Sequence, residues 1–266
     1  MKLAFLGAGK MAGAIVRGII SSNAASPKNI ICTSARDGTA EALAADTGIT
    51  ITYDLKALLA SADWLVLACK PQQLSELPGE LAEYTSGKRV LSILAGTTLS
   101  RLAEAFPNAT NIVRCMPNTP GMIGQGITAY SSMHELNDED KATVQGILDS
   151  LGSTLEMPES ALDAVTGVSG SGPAYVFEFV AALRDGGIAA GLDEETAYTL
   201  ALKTVQGAAA LLEAVTETPE THRNWVSSPG GTTLEGLAVM EAAGFRGIMK
   251  ETVKAAARRS RELSGS

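Results

Sequence analysis

Histidine and cysteine are scarce in this chain of 266 residues: His134 and His222 are the two histidines, and Cys32, Cys69 and Cys115 the three cysteines. A zinc-type site draws several such ligands at close spacing, so no protein-held metal is expected. Three well-separated cysteines also make no disulfide framework, which points to a reducing compartment. Positive charge is short as well. Lys and Arg total 21 against 29 Asp and Glu, a formal charge of −8. Small clusters such as Arg258, Arg259 and Arg261 do not make the basic face of a nucleic-acid binder. No apolar run reaches the ~18 residues of a membrane span. The apolar start breaks at Gly7, too early for a signal peptide. A cytoplasmic chain without membrane or nucleic-acid partners is the expectation. What the chain has is apolar residues at 45% and 27 glycines. That is enough for a core, with the chemistry left to glycine loops, hydroxyls, backbone and a borrowed cofactor.

Short apolar runs alternate with amphipathic stretches over the first ~155 residues. Strands are expected at Lys2–Leu6, Asn29–Thr33, Trp64–Cys69, Arg89–Ala95, Asn111–Cys115, Gly126–Ser132 and Ser153–Met157. Helices are expected at Met11–Ser22, Gly38–Asp46, Leu55–Ser61, Leu74–Tyr84, Ser100–Ala105 and Asp138–Leu151. This alternation predicts an α/β fold, a doubly wound Rossmann-type parallel sheet covered on both faces. After Pro158 the strands stop and Ala/Leu-rich helical patterns follow, at Gly172–Ala190, Glu194–Val215, Thr233–Ala243 and Phe245–Leu263. The expected division is residues 1–158 for the sheet and 159–266 for an all-helical domain. Helices this apolar would bury poorly in a small domain alone, which argues for self-association through this half.

Gly7-Ala8-Gly9-Lys10-Met11-Ala12 follows the first strand and opens a helix. This is the G-x-G-x-x-G/A dinucleotide fingerprint in its required context. Gly7 allows the tight turn, Gly9 lets backbone approach a pyrophosphate, and Ala12 keeps helix and strand close. The plain alternative is an ordinary strand–helix turn. An NAD site usually ends its second strand in an acid that accepts from the ribose 2′-hydroxyl. Here the strand runs into Ser34-Ala35-Arg36-Asp37. A hydroxyl and a guanidinium at Ser34 and Arg36 suit a 2′-phosphate, so NADP is favoured. Asp37 pulls the other way unless it caps the next helix, and Arg36 could instead be a solvated surface residue.

Three further segments are dense in small polar residues. Ala68-Cys69-Lys70-Pro71-Gln72 ends a buried strand, where doubly wound folds place ligands. Lys70 could reach a ribose or phosphate there, or simply extend its amine into solvent. Arg114-Cys115-Met116-Pro117-Asn118-Thr119-Pro120-Gly121 reads as a rigid loop at the same edge. Ser227-Ser228-Pro229-Gly230-Gly231-Thr232-Thr233 feeds a helix, whose amides and dipole make a carboxylate site or, more plainly, an N-cap.

Together these segments resemble the Δ1-pyrroline-5-carboxylate reductase family over nearly the whole chain. The fingerprint, Ala68–Gln72, Ala95-Gly96, Met116–Pro120 and Val168–Tyr175 carry the resemblance, and Ser227–Thr233 with Glu241 is its most specific part. It implies reduction of the cyclic imine 1-pyrroline-5-carboxylate to L-proline by NADPH, with NADH an alternative donor. The cofactor set implied is Gly7, Ala8, Gly9, Lys10, Met11, Ala12, Ser34, Arg36, Ala68, Lys70, Pro71, Ala95, Gly96 and Asn118. Ser228, Gly230, Gly231 and Thr232 would hold the substrate carboxylate. Thr233 would stand beside the imine nitrogen, where a hydroxyl can hydrogen-bond without acting as a strong base. The resemblance also implies helical halves interlocked into a homodimer or larger homo-oligomer, with the substrate loop completing a site across that interface. Two departures stand out: Trp225, where some members carry asparagine, and Leu55, where some carry a polar residue.

Two alternatives compete. A β-hydroxyacid dehydrogenase of the 6-phosphogluconate type needs a helical lysine beside an asparagine. Lys203 is followed by Gln206-Gly207 instead. A non-catalytic dinucleotide sensor would explain the acidic charge and Ala-rich helices but has no use for the Ser-Pro-Gly-Gly-Thr-Thr loop.

Overall fold

The computed structural model describes residues 1–265. Contacts divide them into two compact units, Met1–Ser171 with the chain from Ala255 on, and Gly172–Lys254. Residues 159–171, read from sequence with the helical half, therefore group with the sheet.

The first unit is built on eight strands in the order β3-β2-β1-β4-β5-β6-β7-β8. These are β1 (Leu3–Leu6), β2 (Ile30–Thr33), β3 (Thr50–Ile51), β4 (Trp64–Leu67), β5 (Arg89–Ser92), β6 (Asn111–Met116), β7 (Gly126–Ser132) and β8 (Gly152–Glu156). Helices α1 (Lys10–Ser21), α2 (Thr39–Thr47), α3 (Leu55–Leu59), α4 (Glu80–Tyr84), α5 (Leu99–Ala105), α6 (Asp138–Leu148) and α7 (Leu162–Val165) join and flank them. The order reverses between β1 and β4, leaving a crevice at the carboxyl ends of the strands, the usual ligand position in such sheets.

Alternation along each strand feeds two cores. Leu3, Phe5, Trp64, Val66, Leu91 and Val113 face Ile15, Val16 and Ile19 of α1 and Val144, Ile147 and Leu148 of α6. Ala4, Leu6, Leu65, Leu67 and Val90 face Leu58, Leu59, Leu81, Leu102 and Phe106. With both faces covered, the strands read as near-continuous apolar runs.

The sheet departs from the all-parallel expectation at one place: β6 pairs antiparallel with β7. Only a 3-10 turn at Thr119–Ile123 separates them. Without a crossover helix, the chain can only turn back on itself. Leu74–Tyr84, expected as one helix, is instead a 3-10 turn at Pro71–Glu76 followed by α4. Pro78 and Gly79 between them break the ladder.

Arg114 on β6 is almost fully buried and pairs with Glu159 at 2.9 Å. Glu159 also accepts from the Leu99 amide that opens α5, and Asp163 accepts from Ser260 Oγ at 2.6 Å. These bonds tie residues 159–163 and the chain end to the sheet, which is why they leave the helical grouping.

The second unit holds α8 (Gly172–Ala189), α9 (Glu194–Glu213), α10 (Pro219–Trp225), α11 (Thr232–Ala242) and the first half of α12 (Phe245–Ser264). Asp193 caps α9 by accepting from the Thr196 amide. Thr218 caps α10, with Pro219 in its first turn, a common start signal for a helix. Along the whole of α8 and α9 only Val180, Ala197 and Ala201 are buried. Phe177 is 66% exposed, and Val176, Phe179, Tyr198, Leu200 and Leu211 are also open. Among the described residues no helix is long and apolar enough to cross a membrane.

Candidate active site

The crevice of the first unit is a cavity of about 600 Å³. Gly7, Ala8 and Gly9 line it, together with Ser34, Arg36, Ala68 and Lys70. Gly7 sits at φ +114°, and its amide donates to Thr33 O at 2.8 Å. A Cβ on Gly7 would run into the backbone of Ala68 and Cys69. Gly9 precedes α1 with no side-chain cap, and a Cβ placed there would meet nothing within 4 Å. Open space in front of uncapped helix amides is what a pyrophosphate requires, so these residues fit a dinucleotide.

Not every residue of the expected cofactor set lines this cavity. Lys10, Met11, Ala12, Pro71, Ala95, Gly96 and Asn118 lie outside its lining. Lys10 is exposed on the first turn of α1, Met11 is half-buried, and Ala12 is buried in the core. Pro71 opens the 3-10 turn after β4. Gly96 has φ +66°, and a Cβ there would stand 3.3 Å from Leu263 Cβ; Ala95 beside it is exposed. Asn118 Oδ1 accepts from the Ile127 amide at 3.0 Å, pinning the start of β7.

The cavity also gathers Leu55 and Cys69, and with them Thr39, Tyr53 and Gln73, which the sequence reading did not assign to it. The Arg36 guanidinium lies over the Tyr53 ring, 4.3 Å from its centroid. The Tyr53 hydroxyl donates to Glu41. Asp37 also lines the cavity, but its carboxylate is taken up locally. It accepts from the Thr39 hydroxyl at 2.7 Å and the Thr39 amide at 3.1 Å, and these bonds hold its pKa below the ordinary carboxylate value. Asp37 is thus committed to the start of α2.

In the second unit the Ser227–Thr233 loop opens α11. Gly230 takes φ +70°, and the Gly231 amide closes a turn onto Ser228 O at 2.9 Å. Gly231 has room only for hydrogen, because a Cβ would come within 2.6 Å of Ser228 Oγ. No side chain caps α11. Among the described residues the hydroxyls of Ser228, Thr232 and Thr233 and the amides of Thr232 and Thr233 have no hydrogen-bond partner. A short arc of free donors at a helix start suits a carboxylate. Thr233 is half-buried. A separate cavity of about 690 Å³ runs beside α11, lined by Arg223, Leu237, Met240, Glu241 and Phe245 and by none of the residues 228–233.

His222 is half-buried. Its ring packs edge-on against Trp225 at 4.7 Å, and Nε2 is buried without a partner. Trp225 itself is 65% exposed. Lys203 is exposed and donates to Gln206 at 3.0 Å, with no asparagine beside it. The three thiols are free. Burial pushes Cys32 up to about 11 and raises Cys69 and Cys115, so none is poised as a thiolate.

A doubly wound sheet with a glycine turn against uncapped helix amides defines a dinucleotide-binding protein of the Rossmann class. A family model described as NADP oxidoreductase coenzyme F420-dependent matches residues 2–96, and one described as pyrroline-5-carboxylate reductase dimerisation matches residues 159–263. The chain is 40% identical to a pyrroline-5-carboxylate reductase of Synechocystis over 263 residues, 99% of this chain and 98% of that one. A solved pyrroline-5-carboxylate reductase from Coxiella burnetii superposes with a TM-score of 0.92 at 32% identity, covering 99% of this chain and 98% of the other. A Plasmodium falciparum pyrroline carboxylate reductase with NADP bound gives 0.85 at 30% identity, covering 99% and 98%. The chain belongs to the pyrroline-5-carboxylate reductase family.

Proposed function

We propose that this protein reduces 1-pyrroline-5-carboxylate to L-proline with NADPH in the cytoplasm. The observation that carries the reading is the pairing, in one chain, of a crevice lined by Gly7, Gly9, Ser34 and Arg36 with the free hydroxyls and amides at Ser228, Thr232 and Thr233. Gly7, Ala8 and Gly9 would hold the pyrophosphate, and Ser34 and Arg36 the 2′-phosphate, with Ala68 and Lys70 along the ribose. Pro71, Ala95, Gly96 and Asn118 shape the loops around the cofactor, as Lys10, Met11 and Ala12 shape the start of α1. A bound nicotinamide supplies the hydride that reduces a C=N bond.

The chain's own residues bind and orient the imine. The Ser228 and Thr232 hydroxyls and the amides of Gly230 and Thr232 hold the carboxylate, with Gly231 closing the turn that presents them, so no arginine is required. The Thr233 hydroxyl donates to the ring nitrogen and steadies the charge that changes there. Parallel rate measurements with NADPH and NADH test the reading: NADPH should give the higher kcat/KM. No turnover with either donor would overturn it.

The exposed apolar faces of α8 and α9 support a homodimer through the helical unit. A soluble monomer rarely leaves this many large side chains open. Sedimentation should give a dimer or a larger even assembly. The Phe177→Asp, Leu200→Asp double variant should shift it toward monomer, and a wild-type monomer at micromolar concentration would contradict the assignment.

A further inference from the structure

We propose that Tyr53, held by Glu41, is a positioning residue that fixes Arg36 for the 2′-phosphate and so sets the preference for NADPH over NADH. This rests on the cofactor reading above and goes beyond it, because neither Tyr53 nor Glu41 belongs to the glycine fingerprint or to the second-strand terminus. Arg36 is exposed, and a free arginine side chain samples many rotamers; ordering it costs entropy each time a phosphate binds. Here one face of the guanidinium is backed by the Tyr53 ring at 4.3 Å. The ring is in turn held at its far end, where the hydroxyl donates to Glu41 on the first turn of α2.

The support is built from three places in the sequence. Arg36 follows β2, Glu41 lies on α2, and Tyr53 follows β3, whose pairing with β2 brings it alongside. Among the described residues no hydrogen bond or ion pair takes the guanidinium N–H groups, so all of its donors are open to a ligand of the cavity that Arg36 lines. The two carboxylates near it are both occupied: Asp37 by Thr39, Glu41 by Tyr53. The hydroxyl of Tyr53 lowers the pKa of Glu41, and Glu41 raises that of Tyr53, so the bond persists as phenol to carboxylate at neutral pH. Arg36 is thereby kept from closing an ion pair that would compete with a ligand phosphate.

The test compares two fragments that differ only in the 2′-phosphate, 2′,5′-ADP and 5′-AMP, by calorimetry on the full chain. Wild type should bind 2′,5′-ADP the more tightly. Tyr53→Leu should reduce that preference about fivefold while leaving 5′-AMP affinity within about twofold. Tyr53→Phe keeps the ring and should retain most of the preference. In turnover, Tyr53→Leu should raise KM for NADPH by a similar factor, and by clearly more than it raises KM for NADH. Equal weakening toward both fragments would mark a structural residue only and overturn the proposal, as would a preference untouched by Tyr53→Leu. A wild type that favours 5′-AMP and NADH would overturn the NADPH reading as well, so the two failures are distinguishable.

Discussion

Gly7→Ala should abolish useful cofactor binding, raising the Kd for NADPH by about 100-fold or more, and should lower stability by roughly 3 kcal/mol. Two independent penalties meet at this position. The backbone is at φ +114°, where an L side chain is strained. The added methyl also strikes the backbone of Ala68 and Cys69 rather than a movable side chain. Relief can come only by pushing β1 away from the end of β4 or by losing the Gly7 amide bond to Thr33 O. Either shift tilts the start of α1 away from the phosphates. Denaturant unfolding and a fluorescence titration check both halves of the expectation. A Kd within threefold of wild type would show that the turn is not the phosphate cradle.

Thr233→Ala should lower kcat on the order of 100-fold while the Kd for NADPH stays within about twofold. The argument rests on position. Thr233 is half-buried in the first turn of α11, and no described residue takes its hydroxyl. Removing a group that the protein does not use should cost little in folding, so the loss should fall on the reaction. Thr233→Ser keeps the hydroxyl and should recover most of the rate. Orientation of the imine by the remaining loop leaves some residual activity. Unchanged turnover in the alanine variant would remove Thr233 from the chemistry.

Local features were the legible ones. The glycine fingerprint could be placed because strand, turn and helix are contiguous and each glycine answers a steric demand at its own position. The free donors of Ser227–Thr233 were readable for the same reason: an uncapped helix start is a short-range property. The support of Arg36 was not, since it depends on β3, a strand of two residues with no detectable alternation. That short pairing with β2 brings Tyr53 beside a residue 17 positions earlier, giving 53 − 36 = 17.

The direction of β7 was hidden for another reason. An apolar run looks the same whichever way it points, and only the missing crossover helix between Met116 and Gly126 carried the signal. The grouping of residues 159–171 with the sheet depends on the buried Arg114 and its partners, which are distant in sequence. Alanine-rich periodicity could announce α8 and α9 but not how little of them the single chain would bury.

The central claim, that this chain converts the five-membered imino acid to proline at the expense of NADPH, is tested most directly by stoichiometry. Purified protein is mixed with a limiting amount of 1-pyrroline-5-carboxylate and excess NADPH, and both NADPH loss and proline formation are followed to completion. One proline formed for each NADPH consumed is the predicted result. NADPH left unconsumed, or consumed without proline appearing, would contradict it.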